Sequence, residues 1–381
     1  MESRQLLMTP GPTNVPPRIM RAMIKPMIHH RGPEFQELYK SILDNAKYLF
    51  QTKYDVVVIS SSGTGGIECA VSNIIQGVKK IIVPVGGIFG QRLSKTISVM
   101  GGKPIEIPVD WKRAVTIDMI EDAIKKEKDA KAVAVIYNET STGAKIKCMR
   151  EIGELCNERD LLFIVDAISI LGGDHLPVDD WYIDICIAGS QKCLMTPPGL
   201  SLLSISDNAW SFIEKAENSF YFNLKSCRKY KEKCQTPFTP AIPLYYALDE
   251  ALKIIIEERL ENVISRHKVC AKASYSAIGK MGLTPFPEKE FRSNTVLAIN
   301  NPPKINDTTL RELLRKKYNI VIAGGQGKLK GSIFRIGVMG KISPAEILQT
   351  ISSLNMALNE LGLDLKFDDS LSVAREILKK R

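Results

Sequence analysis

Between residues 55 and 187 the chain repeats one pattern: a short β-branched apolar run, then a longer stretch with apolar positions at helical spacing. Residues 55–60, 81–85, 132–136, 161–165 and 183–187 predict strands. Their near-continuous hydrophobicity predicts burial on both faces, as in a mostly parallel sheet. Helical patterns at 67–76, 91–100, 117–127 and 148–158 fall between them, and that alternation predicts an α/β sheet. After residue 242 the pattern changes. Long helices are predicted over 243–260, 264–281 and 344–361, with a shorter one at 308–317 and strands near 295–299, 319–323 and 332–336. This order predicts a smaller α+β domain. The run Pro10-Gly11-Pro12-Thr13-Asn14-Val15-Pro16-Pro17 predicts an extended arm, because proline fits neither a helix interior nor a central strand. The expected division is an arm over 1–20, a large domain over 21–262 and a small C-terminal domain over 263–381.

Composition narrows the class without naming a chemistry. The 381 residues are 44% hydrophobic and 25% charged, the balance of a globular protein rather than a disordered or low-complexity chain. No apolar run approaches the roughly 20 residues of a membrane span, so a cytosolic protein with no membrane partner is expected. Eight cysteines without a C-x-x-C pair, and four scattered histidines, predict neither a disulfide framework nor a metal site. The net charge of +10 raises nucleic acid as a partner, but no Cys/His finger, RNA-binding aromatic motif or long basic helix supports it. The basic cluster at 225–233 reads as a solvated loop that draws carboxylate substrates.

Three features at predicted strand ends carry chemistry. Ser62-Gly63-Thr64 lies in a small-residue turn between a strand and a helix, where backbone N–H groups and the helix N-terminus favour an anion. Asp166 ends the strand at 161–165, and Lys192 follows the strand at 183–187, at the edge where open α/β sheets bind ligands. Singly, each reads as a turn, a helix cap or a surface charge. Together they are the parts pyridoxal 5′-phosphate requires: a phosphate cup, an acid for the ring nitrogen and a lysine for the Schiff base.

The chain resembles class V, fold-type I aminotransferases of the serine–pyruvate and alanine–glyoxylate group from about residue 5 to 363. The motifs are Pro10-Gly11-Pro12-Thr13 with Pro17-Arg18-Ile19-Met20, Ser62-Gly63-Thr64, and Gly87-Ile88-Phe89-Gly90-Gln91-Arg92. They continue as Glu139-Thr140-Ser141-Thr142-Gly143, Val165-Asp166, Gly189-Ser190-Gln191-Lys192 with Pro197-Pro198-Gly199, Thr236-Pro237-Phe238-Thr239-Pro240 and Phe334-Arg335-Ile336-Gly337.

The resemblance implies a mixed, mostly parallel seven-stranded sheet and a homodimer with shared active sites. It makes Lys192 the Schiff-base lysine and Asp166 the partner of the pyridine nitrogen. Ser62, Gly63, Thr64 and Gln191 would hold the phosphate, and Thr236 and Thr239 would reach the phosphate in the neighbouring subunit. Thr140 would stand beside the ring, Phe89 would stack on it, Arg335 would clamp the substrate carboxylate and Gly11 would line the substrate site. The implied reaction is ping-pong transfer from serine or alanine to pyruvate or glyoxylate. Aspartate or aminophosphonate specificity is the alternative. Cysteine desulfurase chemistry is disfavoured: no Cys follows Cys270, and Phe89 and Gln191 replace that family's histidines. Three features receive no role in the reaction. His29 and His30 lie near the arm, the glycine-rich run at 324–331 reads as a mobile hairpin near Arg335, and the tail from 364 falls outside the resemblance.

Overall fold

A computed structural model describes residues 5–214, 219–365 and 367–379. Its central sheet runs Asp55–Ile59, Ser201–Ile205, Ile185–Gly189, Leu162–Asp166, Ala132–Ile136, Lys80–Val85, Lys103–Pro108. Ser201–Ile205 is antiparallel to both of its neighbours, and the remaining pairs are parallel. The sheet is therefore seven-stranded and mixed.

Alternation along each strand feeds two cores. Val56, Val58, Val133, Val135, Phe163 and Val165 face one side, packed with Phe35, Tyr39, Tyr245 and Leu248. Val57, Ile59, Ile81, Val83, Ala132, Ala134, Leu162 and Ile164 face the other, packed with Ile67, Ala70, Leu93 and Ile97. Burial of both faces explains the continuous apolar runs.

A third core lies around the three-stranded sheet Val296–Asn300, Ile333–Gly337 and Ala323–Gly324. It takes in Met8 from the arm, Cys270 and Ala273 from Leu260–Lys280, and Leu371, Ala374 and Leu378 from the last helix, Phe367–Lys379. The tail is thus part of a core.

Two surface expectations change. The basic segment forms a helix, Leu224–Lys231, rather than a loop. Asn223 caps it by accepting from Ser226 N at 2.8 Å, and Lys231 and Arg228 pair with Asp55. Arg228 also lies over the Trp210 ring, 4.5 Å from its centroid. The glycine-rich run at 324–331 is clamped. Gly325 N donates to Ile333 O at 2.9 Å, Leu329 is buried, and Lys328 Nζ stands 4.1 Å from the Trp111 ring centroid.

Candidate active site

The carboxyl ends of the parallel strands open on one cavity of about 240 Å³. Ser62, Gly63, Thr64, Phe89, Thr140, Asp166, Gln191 and Lys192 line it, so eight of the predicted residues converge. Ile67, Arg92, Ile136, Asn138, Ile168, Ser169 and Gln326 complete the wall. Arg92, Asn138, Ser169 and Gln326 are polar positions to which the sequence assigned no role.

Each side chain is placed by a local device. Ser62 caps the helix Gly63–Ile74, its Oγ accepting from Gly65 N at 3.4 Å, so the helix's first N–H groups face the cavity wall. Phe89 is set by Glu139, whose carboxylate accepts from Phe89 N at 3.3 Å, Gly90 N at 3.0 Å and Ser141 N at 3.1 Å. A carboxylate at the start of Ile88–Val99 also answers that helix's dipole. The close approach needs glycine at 87, since a Cβ there would lie 2.3 Å from Glu139 Cδ. Three residues after Phe89, Arg92 lies over the Phe89 ring, 4.8 Å from its centroid.

Asp166 is 6% exposed and accepts from Ile168 N at 2.9 Å. Burial pushes its carboxyl up to about 7, against the pull of that N–H and of Lys192. Burial likewise pulls the Lys192 ammonium down to about 8; Asp166 opposes this, while Arg335 and Arg92 add to it. Lys192 Nζ donates to the Pro10 carbonyl. Gly11 presses on the same side chain: a Cβ there would come within 2.6 Å of Lys192 Cδ, and its φ of +99° suits glycine.

Arg335 is 5% exposed and donates twice to backbone, from Nε to Gly324 O at 2.9 Å and from the terminal Nη1 to Thr140 O at 3.0 Å. Thr140 lines the cavity and Arg335 does not; the guanidinium adjoins it through the Thr140 carbonyl. Burial lowers Arg335 to about 10, with Glu139 and Asp307 opposing, and it stays cationic at neutral pH.

Thr236 and Thr239 do not join this cavity. They line a separate recess with Ser60, Tyr221 and Phe238. Thr236 is buried and donates to Phe238 O at 2.8 Å, whereas Thr239 is exposed. His30 Nε2 lies 3.5 Å from Thr239 Oγ1, and neither His29 nor His30 lines the cavity.

Seven buried side-chain polar atoms lack a partner among the described residues, and three of them belong to this wall: Asn138 Oδ1, Gln191 Oε1 and Gln326 Oε1. Such atoms cost stability unless something fills the site. Among the described residues no group of three or more His, Cys, Asp or Glu is arranged to hold a metal ion. No helix among them is long and apolar enough to cross a membrane.

This fold, with an acid and a lysine on adjacent strand ends beside a helix N-terminus, matches a known family. The chain belongs to the class-V aminotransferases, whose family model it matches over residues 6–342. It is 42% identical to an uncharacterized aminotransferase of Methanocaldococcus jannaschii, over 99% of this chain and 98% of that one. It is 32% identical to serine–glyoxylate aminotransferase of Methylorubrum extorquens, over 99% of this chain and 96% of that one. The crystal structure of ureidoglycine–glyoxylate aminotransferase from Bacillus subtilis superposes with a TM-score of 0.94 at 30% identity, covering 100% of this chain and 99% of that one.

Proposed function

We propose that the protein is a pyridoxal phosphate-dependent transaminase that moves the amino group of serine or alanine to pyruvate or glyoxylate. The carrying observation is the convergence of Asp166, Lys192, the Ser62–Thr64 cup and three unpartnered buried carbonyls on one cavity. The residues fit the cofactor. An anion suits the N-terminus of Gly63–Ile74, an aromatic ring suits the space beside Phe89, and a protonated ring nitrogen suits the buried Asp166. A cation against Asp166 reverses the effect of burial and keeps the carboxylate charged.

When bound, pyridoxal phosphate supplies an electron-withdrawing ring that acidifies the substrate Cα–H and carries the amino group between the two substrates. Arg335 holds the substrate carboxylate with N–H groups that its two backbone bonds do not use. Lys192 Nζ takes the proton from the substrate Cα, and in the second half-reaction returns one to the α-carbon of the oxo acid. Its lowered basicity leaves much of the amine neutral near pH 8, as a base requires. Similarity to a serine–glyoxylate aminotransferase supports the substrate class.

The test is a panel. The protein is loaded with pyridoxal phosphate, and serine, alanine, aspartate and an aminophosphonate are each offered with pyruvate or glyoxylate. We expect a visible absorbance band that serine and alanine discharge, and transfer to the oxo acid. Loading without transfer from any donor sinks the proposal; transfer only from aspartate or the aminophosphonate replaces its substrate assignment.

The same reading makes the active unit a homodimer, with Thr239 reaching the phosphate of the partner subunit. Its exposure outside its own chain's cavity supports this. Lys192→Ala and Thr239→Glu variants, each inactive alone, regain activity when mixed. A mixed dimer holds one doubly defective site and one intact site. Proven subunit exchange without regained activity places Thr239's action within its own chain.

A further inference from the structure

Fourteen of the fifteen residues lining the cavity lie between Ser62 and Lys192, around the carboxyl edge of the sheet. The exception is Gln326, which arrives from the C-terminal part of the chain. Its side-chain carbonyl is buried and has no partner among the described residues.

Several contacts fix its backbone. Gln326 O accepts from Leu329 N at 3.0 Å, and Gly325 N donates to Ile333 O at 2.9 Å. Gly327 packs so closely that a Cβ there would meet Ile88 Cδ1 at 2.5 Å. Two residues before Gln326, the Gly324 carbonyl accepts from Arg335 Nε at 2.9 Å. The proposed carboxylate clamp and Gln326 therefore belong to one rigid unit, and a substrate held by Arg335 meets Gln326 at a fixed offset.

The cup takes the phosphate, Asp166 the ring nitrogen and Lys192 the α-proton. Asn138 donates its amide to Ser169 and Thr295 on the sheet side of the cavity. Gln326 alone among the unpartnered wall groups comes from the segment that Arg335 binds, which sets it against the substrate rather than the cofactor. A buried carbonyl without a partner rewards a ligand that brings a donor and penalises one that does not. Serine and alanine differ only in such a donor, the β-hydroxyl.

We propose that Gln326 is a specificity-determining residue that accepts a hydrogen bond from the β-hydroxyl of the amino donor, so that serine is preferred to alanine. This rests on the transaminase reading above. The test compares kcat/KM for L-serine and L-alanine, with one oxo acid, in the cofactor-loaded wild type, Gln326→Met and Gln326→Glu. Methionine keeps the length and removes the acceptor, whereas glutamate keeps an acceptor. In the wild type serine should lead by about 10-fold or more, the scale of one buried hydrogen bond. Gln326→Met should bring the ratio close to one, by loss with serine, while alanine changes by no more than about 2-fold and cofactor content stays normal. Gln326→Glu should keep a clear preference for serine.

A wild-type ratio near one, an equal fall for both donors in Gln326→Met, or the same ratio in both variants overturns the inference and leaves the transaminase reading standing. A cofactor-loaded wild type that transfers from no amino acid overturns both.

Discussion

Lys192→Ala lowers turnover by about four orders of magnitude or more, because one substitution removes both the covalent attachment point and the base at the substrate Cα. The protein still takes up pyridoxal phosphate, since the cup at Ser62–Thr64 and the acid at Asp166 lie on other strand ends. Borohydride reduction of the loaded wild type should place the pyridoxyl label on the Lys192 peptide. The pH dependence has a definite sign. Only the neutral amine attacks, and burial brings Lys192 down to about 8 from the usual value of about 10.4. The rate of covalent capture therefore rises with pH around a midpoint near 8, about two units below an ordinary lysine. A label on another lysine, or wild-type turnover in Lys192→Ala, removes the assignment.

Arg335→Lys should lower kcat/KM for amino acids by about 10- to 100-fold, the scale of losing a charged hydrogen bond of about 1.5 to 3 kcal/mol. The charge remains but the two-pronged edge does not. Arg335 also ties Gly324 and Thr140 together, so the control must separate clamping from architecture. Simple amines without a carboxylate provide it. A selective fall for amino acids, with cofactor content unchanged, supports the clamp; an equal fall for both makes Arg335 structural.

Much of the sheet was legible because burial on both faces writes a continuous apolar run. The two sheet strands that escaped carry other signatures. Lys103–Pro108 sits at an edge, where Pro104 and Pro108 are tolerated and the run need not be apolar. Ser201–Ile205 has a serine at each of two positions, Ser201 and Ser204, yet is fully buried. Ser201 is satisfied by Ser61 Oγ at 2.7 Å, a partner far away in sequence.

The site divides in the same way. Asp166 and Lys192 were readable because strand ends announce themselves. Asn138 was not, although it stands beside the motif at 139–143; its amide reaches Ser169 and Thr295, a pairing only the fold assembles. Gln326 lay in a glycine-rich run whose order comes from Ile88 and Trp111, residues well over 200 positions away. A single chain also leaves Thr239 outside its own cavity.

The arm's route has a mechanical consequence. Leu6 and Leu7 pair with Ile320 and Val321, and Met8 O accepts from Gly337 N at 2.8 Å, two residues after Arg335. A few residues on, Pro10 O holds Lys192 Nζ, and Thr13 N donates to Gln191 O at 3.2 Å. One end of this short cord is knotted to the strand bearing Arg335, and the other to the turn bearing Lys192. A shift of Ile333–Gly337 relative to the large sheet pulls on the carbonyl that grips the lysine. On the roles proposed for Arg335 and Lys192, seizing a carboxylate and freeing an amine would thereby be geared together through eight residues of backbone, Leu6 to Thr13.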